Sequence, residues 1–517
     1  MKSFYTILLS ILTALSGFSQ VDENALTFGK TIEARDIKAH ISFLADDLVE
    51  GRETGERGQK IAGLYIKSQF LRMGLPGGVP ESGSYFQQFY LNQSGVNEAT
   101  MSIGKKTFAF KDDFSYYGPG LPPQLTGDIV FGGYGLSSES YNNFRHTDVK
   151  DKLVVVFAGD PNPGAETSIR LLDQLREWRS RGETYKAAGA KAFMLILPDS
   201  VFTVVKRFAG RSSMSITGEQ TVSMAGIYLS ETAGNYLLGL AKAKAENLKK
   251  ELATSDKPAV LDFKKANFSL SADIQGSVKS GENVLAYLEG TDKKDELLVL
   301  TAHYDHIGVS RNGEVNNGAD DDASGTSSIM EIAEAFALAA EAGHRPRRSM
   351  LFMLVSGEEK GLLGSEYYTS NPLYPLANTV VDLNIDMVGR IDSKYENSPD
   401  SANYTYVIGS ERLSTELHAI SERVNKEYSG LILDYKYDAD NDPQRFYYRS
   451  DHYNFAKNGI PVIFYFSGTH KDYHKPTDDV EKINFEKTAK IARQVFYTAW
   501  EIANREERIV VDKPVER

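Results

Sequence analysis

Residues 296–303 read ELLVLTAH, a short apolar run that ends at a histidine, and this kind of run decides the fold. Three more of the same type follow: SMLFMLVS at 349–356, TVVDLNID at 379–386 and PVIFYF at 461–466. Runs of this length are typical of strands that are buried on both faces of a sheet. Between the first two lies an amphipathic helix, marked by Ile329, Ile332, Ala333 and Phe336. Strands alternating with helices predict an α/β fold, with an open, mostly parallel mixed sheet and helices on both faces.

Each apolar run leads into ionisable side chains. In chain order these are His303-Tyr304-Asp305-His306, then Glu358-Glu359, then Asp386 and, through SGTHKDY, His474. The segment GADDDASG at 318–325 adds Asp320, Asp321 and Asp322 directly before the predicted helix. Ligands of open α/β sheets bind outside the carboxyl ends of the strands. The pattern therefore predicts one site at that edge of the sheet.

The types of residue at these strand ends indicate metal chemistry. The chain has no cysteine, so a metal site must use His, Asp and Glu. Two imidazoles with several carboxylates suit zinc or a similar divalent ion, and one tetrahedral zinc would not need so many carboxylates. We therefore expect a two-metal centre, in which ions about 3.5–4 Å apart share the nucleophilic water. A carboxylate that binds no metal can transfer the proton of that water to the leaving amine.

Each feature also has a plain structural explanation when it is taken alone. A His-x-Asp pair is often a surface ion pair, and Glu358-Glu359 suits a solvated turn. The aspartates Asp320–Asp322 are well suited to cap the following helix. Their common placement after buried strands favours the metal site over these separate explanations.

The rest of the chain divides into two regions of different texture. From Glu33 to Leu75 the pattern is helical, with Ile37, Ile41, Leu44 and Leu48 on one face, and a second helix from Ile61 to Met73 is expected to stop at Gly74. Between these helices GRETGERG, residues 51–58, is predicted to be a loop. From about Gly127 to Leu261, short β-rich pieces alternate with helical stretches such as Ile169–Trp178 and Ala233–Leu252. This second region reads as a small α/β module inserted into the larger fold.

Length and composition narrow the class of protein. A chain of 517 residues is too long for one ordinary core, so two domains are expected. A formal net charge of −12 argues against nucleic acid or an anionic membrane as partner. Residues 1–20 resemble a signal peptide, with Lys2 followed by an apolar core too short for a membrane anchor. Without cysteine there is no lipoprotein anchor, so we expect a secreted or periplasmic protein.

Several segments together resemble a known enzyme family. They are HYDH, GADDDASGT, FMLVSGEEKGLLGSEYY, NIDMVGR, SDHYNFAKNGIPVIFY and DYHKPTDD, in this order. They look like the zinc aminopeptidase family of aminopeptidase Y, bacterial leucyl-type aminopeptidases and glutamate carboxypeptidase II. That resemblance implies a phosphorylase/hydrolase-like peptidase domain. The segments VFGGYGL, DVKDKLVVVFAGDP and YKAAGAKAFMLI resemble the protease-associated domain found in many members.

The resemblance also implies boundaries. A signal peptide covers 1–20 and the N-terminal part of the peptidase domain covers 21–120. The protease-associated insertion covers 121–270, the zinc peptidase domain 271–505, and a C-terminal tail 506–517.

Site roles follow from the resemblance for the matching positions. The implied metal ligands are His303, Asp321, Glu359, Asp386 and His474, with Asp321 as the bridge. Glu358 matches the general base, Asp305 orients His303, and the phenol of Tyr473 is a candidate donor to the oxyanion. His306 and His452 are interpreted as structural or supporting residues. Asp322 stands where many relatives have Asn, which leaves the choice between Asp321 and Asp322 slightly open.

The resulting functional prediction is a secreted enzyme with two zinc ions that removes residues from the amino terminus of peptide substrates. Three alternatives remain at this point. A carboxypeptidase of the same family would need a basic pocket, to which Arg445 or Arg449 would contribute. A glutaminyl cyclase-like enzyme would use one catalytic zinc, and a catalytically inactive binding protein would have lost ligands or the base.

Overall fold

The computed structural model describes residues 21–117, 121–138, 141–161, 178, 181–182, 184–209, 212–218, 226–310 and 312–515. The chain forms two compact units. The first consists of the described residues of 1–88 and 281–517, and the second is Phe89–Ser280. The predicted signal peptide, residues 1–20, lies outside the described residues, as does the predicted helix at 169–178 except for Trp178.

The first unit is built on a mixed sheet whose centre is parallel. Its strands, from one edge inward, are Ile432–Asp434, Tyr404–Ile408, Val462–Phe466, Thr379–Ile385, Lys293–His303, Arg348–Val355 and the C-terminal half of Ser269–Leu288. The four strands predicted from the apolar runs are neighbours and run parallel to one another. The strands Tyr404–Ile408 and Ser269–Leu288 flank them in antiparallel orientation. The predicted α/β fold with a large mixed sheet is confirmed.

Helices cover both faces of this sheet because successive strand residues point to opposite sides. On one face Leu300 belongs to the same apolar core as Phe336 of the helix Ala323–Glu341. On the other face the neighbouring Val299 packs in a core with Tyr368. The helices of this unit are Glu23–Gly29, Ala34–Leu44, Arg57–Arg72, Ala323–Glu341, Leu363–Ser370, Thr415–Val424, His452–Ala456 and Phe485–Asn504. All four central strands are buried along their length from Leu297, Arg348, Thr379 and Val462 onward.

The N-terminal helices differ in one respect from the prediction. The first ends at Leu44, and Leu48 lies 80% exposed in the short 3-10 helix Asp47–Arg52. The prediction that Leu48 continues the buried face was wrong, because the chain turns after Ala45 and leaves the helical period. The second helix ends at Arg72, and Gly74 adopts a φ of +73° as expected for a glycine that terminates a helix.

The second unit contains a five-stranded sheet with the order Phe114–Tyr117, Gly226–Leu229, Ala192–Ile196, Leu153–Phe157 and Ile129–Phe131. It also contains the remainder of the strands Phe86–Ile103 and Ser269–Leu288, with Lys106–Ala109, Gln124–Thr126 and Ser213–Ile216 paired to them. Its described helices are Asp199–Val205, Glu231–Leu240 and Ala245–Leu252. The predicted continuous helix Ala233–Leu252 is therefore interrupted, since Lys242 adopts a φ of +59°.

The second compact unit covers more residues than the predicted insertion of 121–270, because it begins at Phe89 and ends at Ser280. The C-terminal residues 506–515 belong to the first unit, where Ile509 is buried in its core. Within the described residues, none of the helices combines the length and apolar character needed to cross a membrane.

Candidate metal centre

The carboxyl ends of the four parallel strands bring the predicted site residues together. His303 is the last residue of its strand, and Asp386 directly follows Thr379–Ile385. Glu358 and Glu359 lie in the turn after Arg348–Val355, where Gly357 has a φ of +82°. The remaining ligand candidates lie on two loops, Asp321 before the helix Ala323–Glu341 and His474 after the strand Val462–Phe466.

The Asp321 carboxylate lies between two histidines. Its Oδ1 is 3.3 Å from Nε2 of His303, and its Oδ2 is 3.1 Å from Nε2 of His474. The same His303 nitrogen is 3.6 Å from Oδ1 of Asp386, and the same His474 nitrogen is 3.2 Å from Oε2 of Glu359. Two groups of donor atoms thus share Asp321, as a bridging carboxylate requires.

The chemistry of the donor atoms suits bound metal cations. Among the described residues, Oδ2 of Asp321, Oε1 of Glu359 and both ring nitrogens of His306 are buried and make no hydrogen bond of good geometry. Oδ2 nevertheless lies 3.1 Å from Nε2 of His474, and Oε1 lies 2.7 Å from Nδ1 of His306. Buried polar atoms are normally paired, and a site for a bound ion is one of the few explanations for a cluster of buried polar atoms that is not paired. Burial of so many carboxylates is also costly unless positive charge compensates them. Divalent cations bound by nitrogen and oxygen donors meet both requirements.

The neighbouring aspartates have other partners. Oδ1 of Asp322 accepts hydrogen bonds from the backbone N–H groups of Gly325 and Met387, and its Oδ2 accepts one from His303 N–H at 3.3 Å. Oδ1 of Asp320 accepts the N–H of Gly389 at 2.6 Å. Asp322 caps the helix Ala323–Glu341, which is the role that aspartates directly before a helix commonly have. The oxygens of Asp321 face His303 and His474 instead. An oxygen of Asp322 also lies within 4.8 Å of donor atoms of His303 and Asp386, but its hydrogen bonds to backbone N–H groups favour Asp321 as the bridge.

Glu358 occupies a position suited to a general base. Its Oε2 lies 3.8 Å from Nε2 of His303, and 12% of its side chain remains exposed to the cleft. Burial raises the pKa of Glu358 well above its ordinary value, and the nearby carboxylates of Glu359 and Asp386 raise it further. His303 acts in the opposite direction. A base with a raised pKa holds an abstracted proton more firmly, which suits proton transfer near neutral pH.

Asp305 contacts His303 differently from the expectation. The Nδ1 atom of His303 is 3.1 Å from the backbone carbonyl oxygen of Asp305, whereas the Asp305 carboxylate is 3.9 Å from it. That carboxylate instead accepts hydrogen bonds from the Thr54 hydroxyl at 2.6 Å and from the Glu358 N–H at 3.3 Å. Asp305 therefore joins the His303 strand end to the turn that carries Glu358.

Tyr473 lines the cleft beside the two groups. Its ring stacks on that of His474 with centroids 3.9 Å apart, and its hydroxyl oxygen accepts a hydrogen bond from Nη2 of Arg449 at 3.3 Å. Burial raises the pKa of Tyr473 well above its ordinary value, so the phenol stays protonated. Since the oxygen accepts from Arg449, the phenol proton remains free for another acceptor. Aromatic and apolar side chains complete the cleft wall: Met387, Phe446, Phe464 and Phe466.

Two residues contact the candidate metal ligands although the sequence did not predict these contacts. Nδ1 of His306 lies 2.7 Å from Oε1 of Glu359 and 3.9 Å from Oδ2 of Asp321, so His306 is within reach of the second group. The His-x-x-His spacing of HYDH was a signal that could have indicated this. Ser450 donates its hydroxyl to Oδ2 of Asp386 at 2.7 Å, for which the sequence held only the weak signal of a serine in SDH. His452 lies outside both groups and stacks on Phe464.

The part of the chain that contains this site is similar to a known peptidase family. Residues 283–499 match the family model for Peptidase family M28. The sequence of this stretch is therefore similar to peptidase family M28. The M28 stretch contains the candidate ligands His303 to His474 and both glutamates of the turn after Arg348–Val355.

Individual relatives are similar over part of their length. A probable zinc metalloprotease of Pyrenophora teres f. teres (strain 0-1) is 27% identical over 289 residues, which cover 46% of this chain and 57% of the relative. Aminopeptidase YwaD of Bacillus subtilis (strain 168) is 26% identical over 301 residues, 56% of each chain. The chain thus spans about half the length of the curated relatives it matches.

Solved structures share the fold. The aminopeptidase from Aneurinibacillus sp. strain AM-1 has a TM-score of 0.58 at 19% identity, covering 95% of this chain and 98% of the other. A zinc aminopeptidase from Bacillus subtilis has a TM-score of 0.50 at 18% identity, covering 92% of this chain and 96% of the other. These similarities support the mixed α/β architecture.

Proposed function

We propose that this chain is a metallo-aminopeptidase that binds two zinc ions and hydrolyses the amino-terminal peptide bond of peptides. The main support for this activity is the position of the Asp321 carboxylate between His303 and His474, with the Glu358 carboxylate beside His303. The similarity to a probable zinc metalloprotease and to an aminopeptidase supports the same activity.

The residues divide between two zinc positions. His303 and Asp386 would hold one ion, and His474 and Glu359 would hold the other, with Asp321 shared by both. When bound, zinc supplies Lewis acidity to the peptide carbonyl and to water. The chelating groups contain no sulfur, which is compatible with zinc held by imidazole and carboxylate.

The protein's own side chains carry the proton transfers. Glu358 accepts a proton from the attacking water and delivers it to the nitrogen of the leaving amine. The Tyr473 hydroxyl, with its oxygen occupied by Arg449, donates its proton in a hydrogen bond to the developing oxyanion. A carboxylate or a metal ion near the scissile bond can hold the free α-amino group of a substrate, and this acidic site would supply both. The apolar cleft wall excludes water from one side of the site.

Peptides with one blocked end test this function directly. We expect the zinc-loaded protein to release the first residue of a peptide with a free amino terminus and an amidated carboxyl terminus. An N-acetylated peptide with a free carboxyl terminus should remain intact, because it lacks the α-ammonium group. Mass spectrometry of both peptides measures the released residue. Dialysis against a chelator should abolish release, and added zinc should restore it.

Three results would contradict the proposal. Full activity in metal-free protein would exclude the zinc role. Release of the last residue from the acetylated peptide would show a carboxypeptidase, with Arg449 as the side chain that recognises the carboxylate. Formation of pyroglutamate from a Gln-initiated peptide, without free Gln, would show a cyclase.

The Tyr473 hydroxyl provides a second test. Tyr473→Phe is expected to lower kcat by about 10²–10³-fold with little change in KM, since removal of one oxyanion donor has an effect of this size. Steady-state kinetics on the amidated peptide measures both constants. Tyr428→Phe is the control, because it removes a phenol hydroxyl that contacts Asp22 away from the cleft. An unchanged kcat in Tyr473→Phe would reduce Tyr473 to a packing residue.

The proposal also includes export of the protein and the identity of the module within Phe89–Ser280. The apolar pattern of residues 1–20 supports export as a secreted or periplasmic protein. The five-stranded sheet within Phe89–Ser280 contains the segments that resemble the protease-associated domain. We assign that module as an insertion between the two parts of the peptidase domain.

A further inference from the structure

The segment Glu50–Gly55, with the sequence EGRETG, lies against the loops of the metal centre without contributing a ligand. It connects the helices Ala34–Leu44 and Arg57–Arg72. Three consecutive residues, Glu50, Gly51 and Arg52, adopt φ values of +52°, +61° and +51°. Such backbone is unfavourable for side chains other than glycine and persists where the surroundings determine it. The contacts of this segment explain what it holds in place.

Arg52 joins several loops through its fully buried guanidinium group. The group donates to the backbone carbonyls of Tyr304 at 2.8 Å, Asn317 at 2.6 Å, Gly318 at 3.0 Å and Asp321 at 3.4 Å, and also to Leu44. Tyr304 follows the ligand His303, and Asp321 is the proposed bridge. A buried guanidinium is stable only when its rigid fork of N–H donors is satisfied, so these carbonyls are held in one arrangement.

Thr54 reaches the other side of the centre. Its hydroxyl donates to Oδ2 of Asp305 at 2.6 Å, and both residues are fully buried. Oδ1 of Asp305 accepts the N–H of Glu358, and the Asp305 carbonyl oxygen lies 3.1 Å from Nδ1 of His303. A single hydroxyl therefore orients the residue that contacts both a ligand and the proposed base.

Backbone contacts hold the segment close to these loops. The carbonyls of Arg52 and Gly51 accept the N–H groups of His306 at 3.1 Å and Gly308 at 3.0 Å. A Cβ atom on Gly51 would lie 2.4 Å from the carbonyl oxygen of Asn316, so this approach requires glycine. Glu53 forms an ion pair with Lys360 at 2.8 Å, next to the ligand Glu359.

We propose that residues 50–55 form a brace that sets the relative position of the His303, Asp321 and Glu358 loops before metal binds. Arg52 and Thr54 are then positioning residues of the centre. The inference rests on the proposed two-zinc function, and it adds a part of the chain that lies outside the M28 stretch of 283–499. Outer hydrogen-bond partners of metal ligands commonly affect metal affinity by about 10–100-fold when they are replaced.

Thr54→Val tests the brace because it keeps the shape of the side chain and removes only the hydroxyl. We expect zinc affinity, measured by competition with a chelator, to fall by about 10-fold, the lower end of the range for direct partners of ligands, because Thr54 acts through Asp305. The visible absorption spectrum of the cobalt-loaded protein should change, and kcat should fall more than KM rises. Thr54→Ser keeps the hydroxyl and should restore all three to near the values of the unmodified protein.

Thr498→Val is the matched control. Thr498 is equally buried in the helix Phe485–Asn504 and donates to the Gln494 carbonyl, away from the centre. Its replacement should change thermal unfolding of the metal-free protein without affecting zinc affinity or the cobalt spectrum. The brace is wrong if Thr54→Val keeps the zinc affinity and cobalt spectrum of the unmodified protein, or if Thr54→Ser fails to restore them.

The two proposals fail in different ways. If the zinc-loaded unmodified protein cleaves no peptide but Thr54→Val weakens zinc binding, the aminopeptidase function is wrong and the brace stands. If the unmodified protein is an active aminopeptidase and Thr54→Val binds zinc equally well, the brace is wrong and the function stands.

Discussion

Glu358→Gln is expected to reduce kcat by about 10²–10⁴-fold, the range that a general acid–base residue contributes. The amide has nearly the shape of the carboxylate but cannot accept a proton from water or pass it to the leaving amine. The Glu358 N–H still donates to Asp305, so the turn that presents Glu359 should keep its conformation. Both metals should therefore remain bound. Elemental analysis and steady-state kinetics on the same preparation measure the two effects together.

A glutamate remote from the cleft provides the control for this charge change. Glu341 is exposed at the end of the helix Ala323–Glu341, and Glu341→Gln should leave kcat and zinc content unchanged. A near-normal kcat in Glu358→Gln would show that another group transfers the proton. Loss of zinc in Glu358→Gln would instead make Glu358 a ligand rather than the base.

Asp321→Asn is expected to lose at least one of the two zinc ions and, with it, activity. The two oxygens of Asp321 face different histidines, so the carboxylate contributes a donor atom and negative charge to both positions. An amide retains one oxygen donor and no net charge, which leaves two cations close together without their shared anion. Zinc per protein chain, measured after removal of free metal, reports this loss.

Asp322→Asn is expected to lower stability while both zinc ions stay bound, in contrast to Asp321→Asn. Asp322 accepts three backbone N–H groups and caps the helix, so its amide would place donors towards the His303 N–H. Loss of an accepted hydrogen bond in a buried site costs about 1–3 kcal/mol, and thermal unfolding should occur at lower temperature. Zinc content should remain near two per chain, as a two-metal centre holds. If Asp322→Asn loses zinc while Asp321→Asn retains it, Asp322 is the bridge.

The sequence alone determined the sheet and the set of candidate residues. The four apolar runs predicted buried strands of a mostly parallel sheet, because a strand buried on both faces needs apolar side chains at nearly every position. Residues directly at a strand end, such as His303 and Asp386, are placed by the strand itself. Their common edge follows from parallel pairing, so a site there could be predicted without any knowledge of long-range contacts.

Tertiary structure decided the details that depend on residues distant in the chain. Leu48 follows the helical period in sequence but lies exposed, since the chain leaves the helix at Ala45. Asp321 and Asp322 are neighbours with the same side chain, and only packing against Met387, Gly325 and the histidines distinguishes them.

The brace of residues 50–55 shows most clearly that contacts between distant parts of the chain cannot be predicted from local sequence pattern. Periodicity identified GRETGERG only as a loop, because a loop carries no repeating pattern. Arg52 meets carbonyls more than 250 positions away, and Thr54 meets Asp305 across 251 positions. Hydrogen bonds of this kind depend on where separate loops lie in space, which local sequence pattern does not encode. The sequence therefore determined which chemical groups are available, and the tertiary structure decided which of them act together.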